Sequence, residues 1–98
     1  MSTLIPVHPG EVLHQEFLTP LGLSAGALAR AVGAPRTRIE RLAAERIDLT
    51  PDTALRLARF FGSSAAFWMN IQTRYALETT EAAIADDLAH IEPMPIST

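Results

Sequence analysis

The sequence predicts an all-α fold, and three observations support this prediction. Apolar residues recur at helical spacing in most segments of the chain. Proline, glycine and short hydroxyl side chains stand where helices begin and end. No segment has the pattern of a convincing strand. A length of 98 residues, 48% of them hydrophobic, predicts a single domain, residues 1–98, around one modest core.

Five or six helices are expected, and the first lies near the N-terminus. The Pro9-Gly10 pair predicts a turn, after which this helix begins and runs to about Thr19. Pro20 and Gly22 are expected to end it, because proline cannot donate the next backbone hydrogen bond and glycine often follows the last helical residue.

The next three helices have clearer boundaries. Ser24 is expected to cap the second helix, and Gly33 to close it. Pro35 suits the first position of the third helix, where its missing N–H would have no partner. Thr50 followed by proline repeats the capping pattern and predicts a fourth helix at Pro51–Phe61.

A longer fifth helix is expected to start after a cap at Ser63 or Ser64. The domain core then covers about residues 8–77, and an acidic helical extension covers about 78–92. The extension is either continuous with the fifth helix or broken near Thr79-Thr80. Its apolar stripe either packs on the domain or forms a contact with a second copy or another protein; the stripe consists of Ile84, Leu88 and Ile91.

The segment from Ser24 to Leu42 has the pattern of a helix-turn-helix. Ala29 is the small residue that lets the two helices approach, and Gly33 is the turn glycine. Ile39 and Leu42 anchor the second of these helices to the core. A helix-turn-helix places its second helix in the major groove of DNA. A helical hairpin with a solvated arginine face is the alternative interpretation.

The outward face of the third helix predicts how DNA would be contacted. Base-edge contacts are expected from Arg36, Thr37 and Arg41. Phosphate contacts are expected from Ser24, Arg38 and Arg46. Residues 24–61 contain seven arginines and four acidic residues, a net charge of +3, whereas the remainder of the chain carries −6. The overall charge of −3 therefore conceals a basic central segment.

Other classes of protein are disfavoured by the composition. The absence of cysteine removes disulfides and thiolate metal sites. No signal peptide and no apolar run of about 20 residues are present, so a cytoplasmic location without membrane contact is expected. His8, Glu11 and His14 resemble a metal site only weakly, and a turn histidine plus a surface histidine is preferred. No catalytic constellation is evident, so neither an enzyme nor a cofactor is expected.

Two longer segments carry a resemblance to a known family. They are HPGEVLHQEFLTPLGLS (residues 8–24) and LTPDTALRLARFFGSSAAFWMNIQTRYAL (residues 49–77). Together they resemble the HigA/VapI antitoxins, which are Xre-type, lambda-repressor-like helix-turn-helix proteins. The resemblance implies a five-helix lambda-repressor-like DNA-binding domain, here with a C-terminal helical extension. It also implies a homodimer, binding to the operator of its own operon, and neutralisation of a HigB-type mRNA endonuclease toxin.

Two positions depart from the family pattern and keep alternatives open. Ala25 replaces a polar residue that helps to clamp a phosphate, and Glu45 stands where a glycine followed by basic residues is usual. One alternative is therefore that residues 43–45 extend the third helix by a turn. Operator affinity is expected to be moderate and strongly salt-dependent. The alternatives are a stand-alone Xre-type regulator and a protein-binding module that has lost DNA binding.

Overall fold

A computed structural model describes residues 5–95. This part of the chain forms six helices and no strand, so the all-α prediction is confirmed. None of these helices is long and apolar enough to cross a membrane. The helices are α1 (residues 9–21), α2 (Ala25–Val32), α3 (Arg36–Ala43), α4 (Pro51–Phe61), α5 (Ala65–Ala83) and α6 (Ala85–Ala89).

Helix α1 begins at Pro9, so the prediction of a turn at Pro9-Gly10 is wrong. His8 is the N-cap: its ring Nδ1 accepts a hydrogen bond of 2.8 Å from the Gly10 N–H. Pro9 then occupies the first turn, where a proline costs no hydrogen bond. The His8 ring is 2% exposed and packs edge-on against Tyr75, with 4.8 Å between ring centroids.

Helix α1 also continues through Pro20, contrary to the prediction. It consists of an α-helical turn, Pro9–Val12, a π-helical stretch, Leu13–Leu18, and a final turn, Thr19–Leu21. A proline ring normally clashes with the carbonyl four residues earlier. Here the preceding stretch is wound more widely, and this wider turn accommodates the ring. The helix ends at Gly22, as predicted, where this residue adopts a left-handed conformation.

The core is assembled around Trp68, which is fully buried on α5. Its indole N–H donates to the Ser63 Oγ at 3.0 Å, while the Ser64 Oγ accepts from the Phe67 N–H at 3.0 Å. Ser64 is therefore the cap of α5, and Ser63 satisfies the tryptophan. The largest other fully buried side chains come from α1 to α4: Leu13, Leu28, Ile39, Leu42, Leu57 and Pro9.

Helix α5 extends well beyond the core. It passes through Thr79-Thr80 and ends at Ala83, so of the two alternatives the break near the threonines is wrong. The Thr79 hydroxyl donates to the Tyr75 carbonyl at 2.9 Å, which keeps this threonine compatible with a helix. The break occurs at Ile84, where φ is −114° and ψ 23°.

Residues 78–95 form the C-terminal arm. Every residue from 80 to 95 is exposed, and the molecule is 52 Å long but only 26 by 21 Å across. The apolar stripe of the arm therefore does not pack on the domain. Ile84, Leu88 and Ile91 are 38%, 40% and 65% exposed, respectively.

Candidate nucleic-acid interface

Helices α2 and α3 form the predicted helix-turn-helix. Ala29 on α2 is 2% exposed, and Ile39 and Leu42 on α3 are at most 1% exposed, so the predicted packing positions are confirmed. Gly33 has φ 70° and ψ 33°, a left-handed conformation that glycine adopts without steric cost. The Ser24 Oγ accepts from the Ala27 N–H at 3.0 Å and caps α2 as predicted.

The start of α3 lies one residue later than predicted. Pro35 has an extended ψ of 139° and is the N-cap, and its carbonyl accepts the first bonds of the helix from the Arg38 and Ile39 N–H groups. Arg36 is therefore the first helical residue. The rigid φ of proline still directs the chain into the helix, which explains why the one-residue error has little consequence.

The turn between α2 and α3 is held by a side chain from α4. The Arg56 guanidinium donates to the Val32 carbonyl at 2.8 Å and to the Gly33 carbonyl at 3.2 Å. These carbonyls stand at the end of α2, where helical partners are lacking and a cation is favourable. The sequence interpretation missed this role, although Asp52 and Arg56 have the i, i+4 spacing of an ion pair.

Asp52 links Arg56 to α3. Its Oδ1 accepts from the Arg56 Nε at 2.8 Å and from the Arg38 Nη1 at 2.9 Å. The Arg56 hydrogen bond is the main reason that the pKa of Asp52 lies below its ordinary value. Arg38 adds to this lowering, and partial desolvation opposes it. Arg38 is thus tied to α4, with 37% of its side chain exposed.

The outward face of α3 carries the predicted base-reading residues. Arg36, Thr37 and Arg41 are all exposed. The Arg36 Nε donates to the Glu40 Oε2 at 2.8 Å, and 72% of the Arg36 side chain remains accessible. Within residues 5–95, Arg41 makes no ion pair.

The predicted phosphate contacts lie on both sides of this face. A Cβ placed on Gly26 would lie 3.4 Å from the Arg36 Nε, so the Arg36 side chain lies against the first turn of α2. Ser24 is the cap of that turn. Arg46 is exposed beyond the other end of α3 and forms no ion pair within residues 5–95.

Helix α3 ends at Ala43, so the alternative of an additional turn is wrong. The Glu45 N–H donates to the Leu42 carbonyl at 2.9 Å, and the Arg46 N–H donates to the Arg41 carbonyl at 2.8 Å. This pair of bonds is a Schellman motif, which requires a left-handed residue just after the helix. Glu45 fills that position with φ 62°, and elsewhere in residues 5–95 only glycines have positive φ.

A close approach between α1 and α3 fixes the orientation of the recognition helix. A Cβ at Gly10 would collide with the Leu42 carbonyl of α3. Only glycine allows the start of α1 to lie against the end of α3. The residues HPG in this segment therefore have three distinct structural roles: cap, first helical residue and close contact.

The histidines near α1 do not form the metal site that was weakly indicated by the sequence. His8 is buried and its Nδ1 is already an acceptor, whereas His14 is exposed. The expected turn histidine is thus a buried helix cap. Among residues 5–95, no three His, Asp or Glu side chains are grouped so that they would hold a metal ion.

Several known proteins are similar to this chain in sequence and in fold. No protein-family model matches the chain. Virulence-associated protein I of Dichelobacter nodosus is 49% identical over 75 residues, which cover 76% of this chain and 69% of that protein. Antitoxin HigA-1 of Vibrio cholerae is 35% identical over 92 residues, which cover 94% of this chain and 87% of that protein. The chain belongs to the HigA antitoxin family.

Solved structures of HigA relatives include complexes with DNA. Antitoxin HigA of Pseudomonas aeruginosa, solved with the higBA promoter, has a TM-score of 0.90 and 40% identity. The match covers 93% of this HigA-family chain and 100% of that chain. Antitoxin GraA in complex with its operator has a TM-score of 0.90 and 34% identity, covering 99% and 98% of the two chains.

Proposed function

We propose that this HigA-family chain is a cytoplasmic type II antitoxin that represses its own operon and neutralises a HigB-type mRNA endonuclease. The observation that carries the proposal is the exposed face of α3, which presents two arginines and a threonine on a rigid helix-turn-helix. The similarity to HigA solved with its promoter supports the same use of this face.

In the proposed complex, α3 enters the major groove from its N-terminal end. Arg36, Thr37 and Arg41 contact base edges, as the exposed positions of a recognition helix do. Each good bidentate contact discriminates by about 1–3 kcal/mol, so one protomer distinguishes too few base pairs to define a unique site. A homodimer that reads two half-sites about 10 bp apart supplies the additional contacts.

Phosphates are proposed to be held on both sides of the groove. Ser24 and the free N–H groups of the first turn of α2 meet one strand, and Arg46 meets the backbone beyond the end of α3. Arg38 contributes from beside α4. Its bond to Asp52 uses one of the five guanidinium N–H groups, and the others remain available for a phosphate oxygen.

The C-terminal arm is proposed to supply the protein contacts. Its stripe of Ile84, Leu88 and Ile91 is exposed, and an exposed apolar stripe of this kind suits a dimer contact. The carboxylates of the arm complement a basic nuclease. The carboxylates available for this contact are those that form no ion pair among residues 5–95: Glu81, Asp86, Asp87 and Glu92. Separate surfaces for DNA and toxin let one antitoxin serve both functions.

Two assays on the same variants test the proposal. Wild-type protein selects duplexes from a randomised DNA library, and fluorescence anisotropy then measures binding to the enriched duplex. Arg36→Ala and Arg41→Ala are expected to abolish specific binding, whereas Arg74→Ala, an exposed arginine on α5, is expected to retain it. In cells, co-expression with a HigB-type toxin measures growth rescue, which all three variants should preserve.

The results separate the proposal from its alternatives. Failure of wild-type protein to enrich any duplex would contradict operator repression. Specific DNA binding without growth rescue would indicate a stand-alone regulator. Loss of DNA binding and rescue together in a folded Arg41→Ala variant would show that the two surfaces are not separate.

A further inference from the structure

The DNA-facing surface of α3 contains a carboxylate that the proposed contacts leave unused. Glu40 lies one helical turn after Arg36, on the same exposed face. A lone acidic residue at the centre of such a surface would repel DNA phosphates. Here the carboxylate is paired, because its Oε2 accepts from the Arg36 Nε at 2.8 Å.

The geometry of this ion pair leaves particular atoms free. Among residues 5–95, Arg36 donates only through Nε, so the N–H groups of both its terminal nitrogens are free to bind another partner. Glu40 uses only Oε2, so Oε1 remains an acceptor. The pair therefore leaves two adjacent donors and one acceptor available on the exposed face of α3.

That pattern complements one base pair in the major groove. Guanine offers O6 and N7 as adjacent acceptors, and the paired cytosine offers its N4 amino group as a donor. Adenine N6 also donates, but it lies between two acceptors, adenine N7 and thymine O4, which repel a carboxylate.

We infer that Glu40 reads cytosine N4 in the same base pair whose guanine is read by Arg36. This inference rests on the proposed operator binding and adds a fourth base-reading residue to it. Arg36 and Glu40 then act as one unit. Their mutual ion pair favours this arrangement of both side chains before DNA arrives, which reduces the side-chain entropy lost on binding.

A purely structural role for Glu40 is the competing explanation, and the chain contains a matched control for it. On α5, Arg74 and Glu78 form the same i, i+4 pair, with 3.2 Å between Nε and Oε2. This helix lies outside the helix-turn-helix. Glu78→Gln therefore removes an equivalent ion pair without altering the DNA-facing surface.

The experiment measures base preference rather than affinity alone. Wild-type, Glu40→Ala, Glu40→Gln and Glu78→Gln proteins are tested against single-base variants of the duplex that wild-type protein enriches from a random library. Circular dichroism verifies that each variant is folded. In a further duplex, one cytosine is replaced by 2-pyrimidinone, which lacks only the N4 amino group.

The inference makes four linked expectations. Wild-type protein should lose about 5- to 150-fold in affinity when the amino group is removed at one cytosine of a half-site. Glu40→Ala should be insensitive to that removal. Glu40→Gln should shift the preference at the same position toward adenine, because an amide pairs with adenine N6 and N7. Glu78→Gln should retain the wild-type profile.

Several results would overturn the inference. An unchanged base preference in Glu40→Ala, or the same sensitivity of that variant to removal of the N4 amino group as wild type, would show that Glu40 does not read a cytosine. A wild-type preference for adenine at the Glu40-sensitive position would exclude cytosine as its partner. If wild-type protein enriches no duplex, operator binding itself fails and the inference fails with it.

Discussion

Replacing Glu45 by glycine should stabilise the protein, although it removes a whole side chain. Glu45 follows the recognition helix with φ 62°, in the position that Gly22, Gly33 and Gly62 occupy after α1, α2 and α4. The side chain of an L-residue in this conformation crowds its own backbone, whereas glycine does not. The carboxylate also lies near the negative end of the α3 dipole, where an anion is unfavourable.

The expected gain can be estimated from these two effects. The left-handed conformation costs a non-glycine residue about 1–2 kcal/mol, and the additional freedom of glycine in the unfolded chain offsets about 0.4–1 kcal/mol of that. Removing the charge adds about 0.3–1 kcal/mol. Glu45→Gly should therefore gain about 1–2 kcal/mol, which raises the Tm by roughly 5–15 °C in a domain of this size.

Thermal unfolding monitored by circular dichroism separates the two contributions. Glu45→Gln removes only the charge, so it should gain less than Glu45→Gly. Gly62→Ala provides the reverse test, because a Cβ there would meet nothing within 4 Å and only the backbone conformation would resist it. It should lose about 0.5–1 kcal/mol. If Glu45→Gly is no more stable than Glu45→Gln, the argument from backbone conformation is wrong.

Three further predictions concern α1, the Asp52 bridge and the phosphate contacts. Gly10→Ala should destabilise the fold by about 1–3 kcal/mol or more in urea titrations, because the Leu42 carbonyl is backbone and cannot move aside. The lowered pKa of Asp52 means that its stabilising effect is present above the ordinary value of 3.8 and is lost as pH falls below it. The stability difference between wild type and Asp52→Asn should therefore shrink under acid, and a constant difference would contradict this. Arg38 and Arg46 would give a dimer four phosphate contacts, so log affinity should change with log salt concentration with a slope of about −3.6. Arg46→Gln removes two of these contacts and should reduce the size of the slope by about 1.8. An unchanged slope would remove Arg46 from the interface.

Short-range signals made most of the fold predictable. Ser24 and Thr50 cap their helices because the hydroxyl and its N–H partner lie three residues apart in sequence. The errors occur where a distant contact decides. Gly10 was interpreted as a turn residue, because the sequence does not show that the Leu42 carbonyl lies against it. Pro20 resembles a helix stop until the wider winding of the preceding turn is known.

The candidate site was predictable to a similar extent. Helical periodicity is sufficient to place Arg36 and Arg41 on the exposed face of α3. It cannot predict that Arg38 bonds to Asp52, fourteen residues later, because that contact depends on how α3 and α4 pack. The brace from Arg56 to the carbonyl of Val32 spans 24 residues and depends on the same packing.

These contacts reduce the number of unpaired positive charges in the basic segment, residues 24–61. Three of its seven arginines are held by carboxylates in the structure, and the unpaired arginines among residues 5–95 are Arg30, Arg41, Arg46 and Arg59. Each neutralised arginine weakens the sequence-independent attraction to phosphates, which depends on net positive charge. The base-reading N–H groups are not lost, because Glu40 leaves the terminal nitrogens of Arg36 free. In the proposed complex, the acidic residues near α3 therefore lower non-specific binding more than specific binding. The ratio of the two, rather than affinity alone, determines whether a repressor finds its operator among the other sites of a genome.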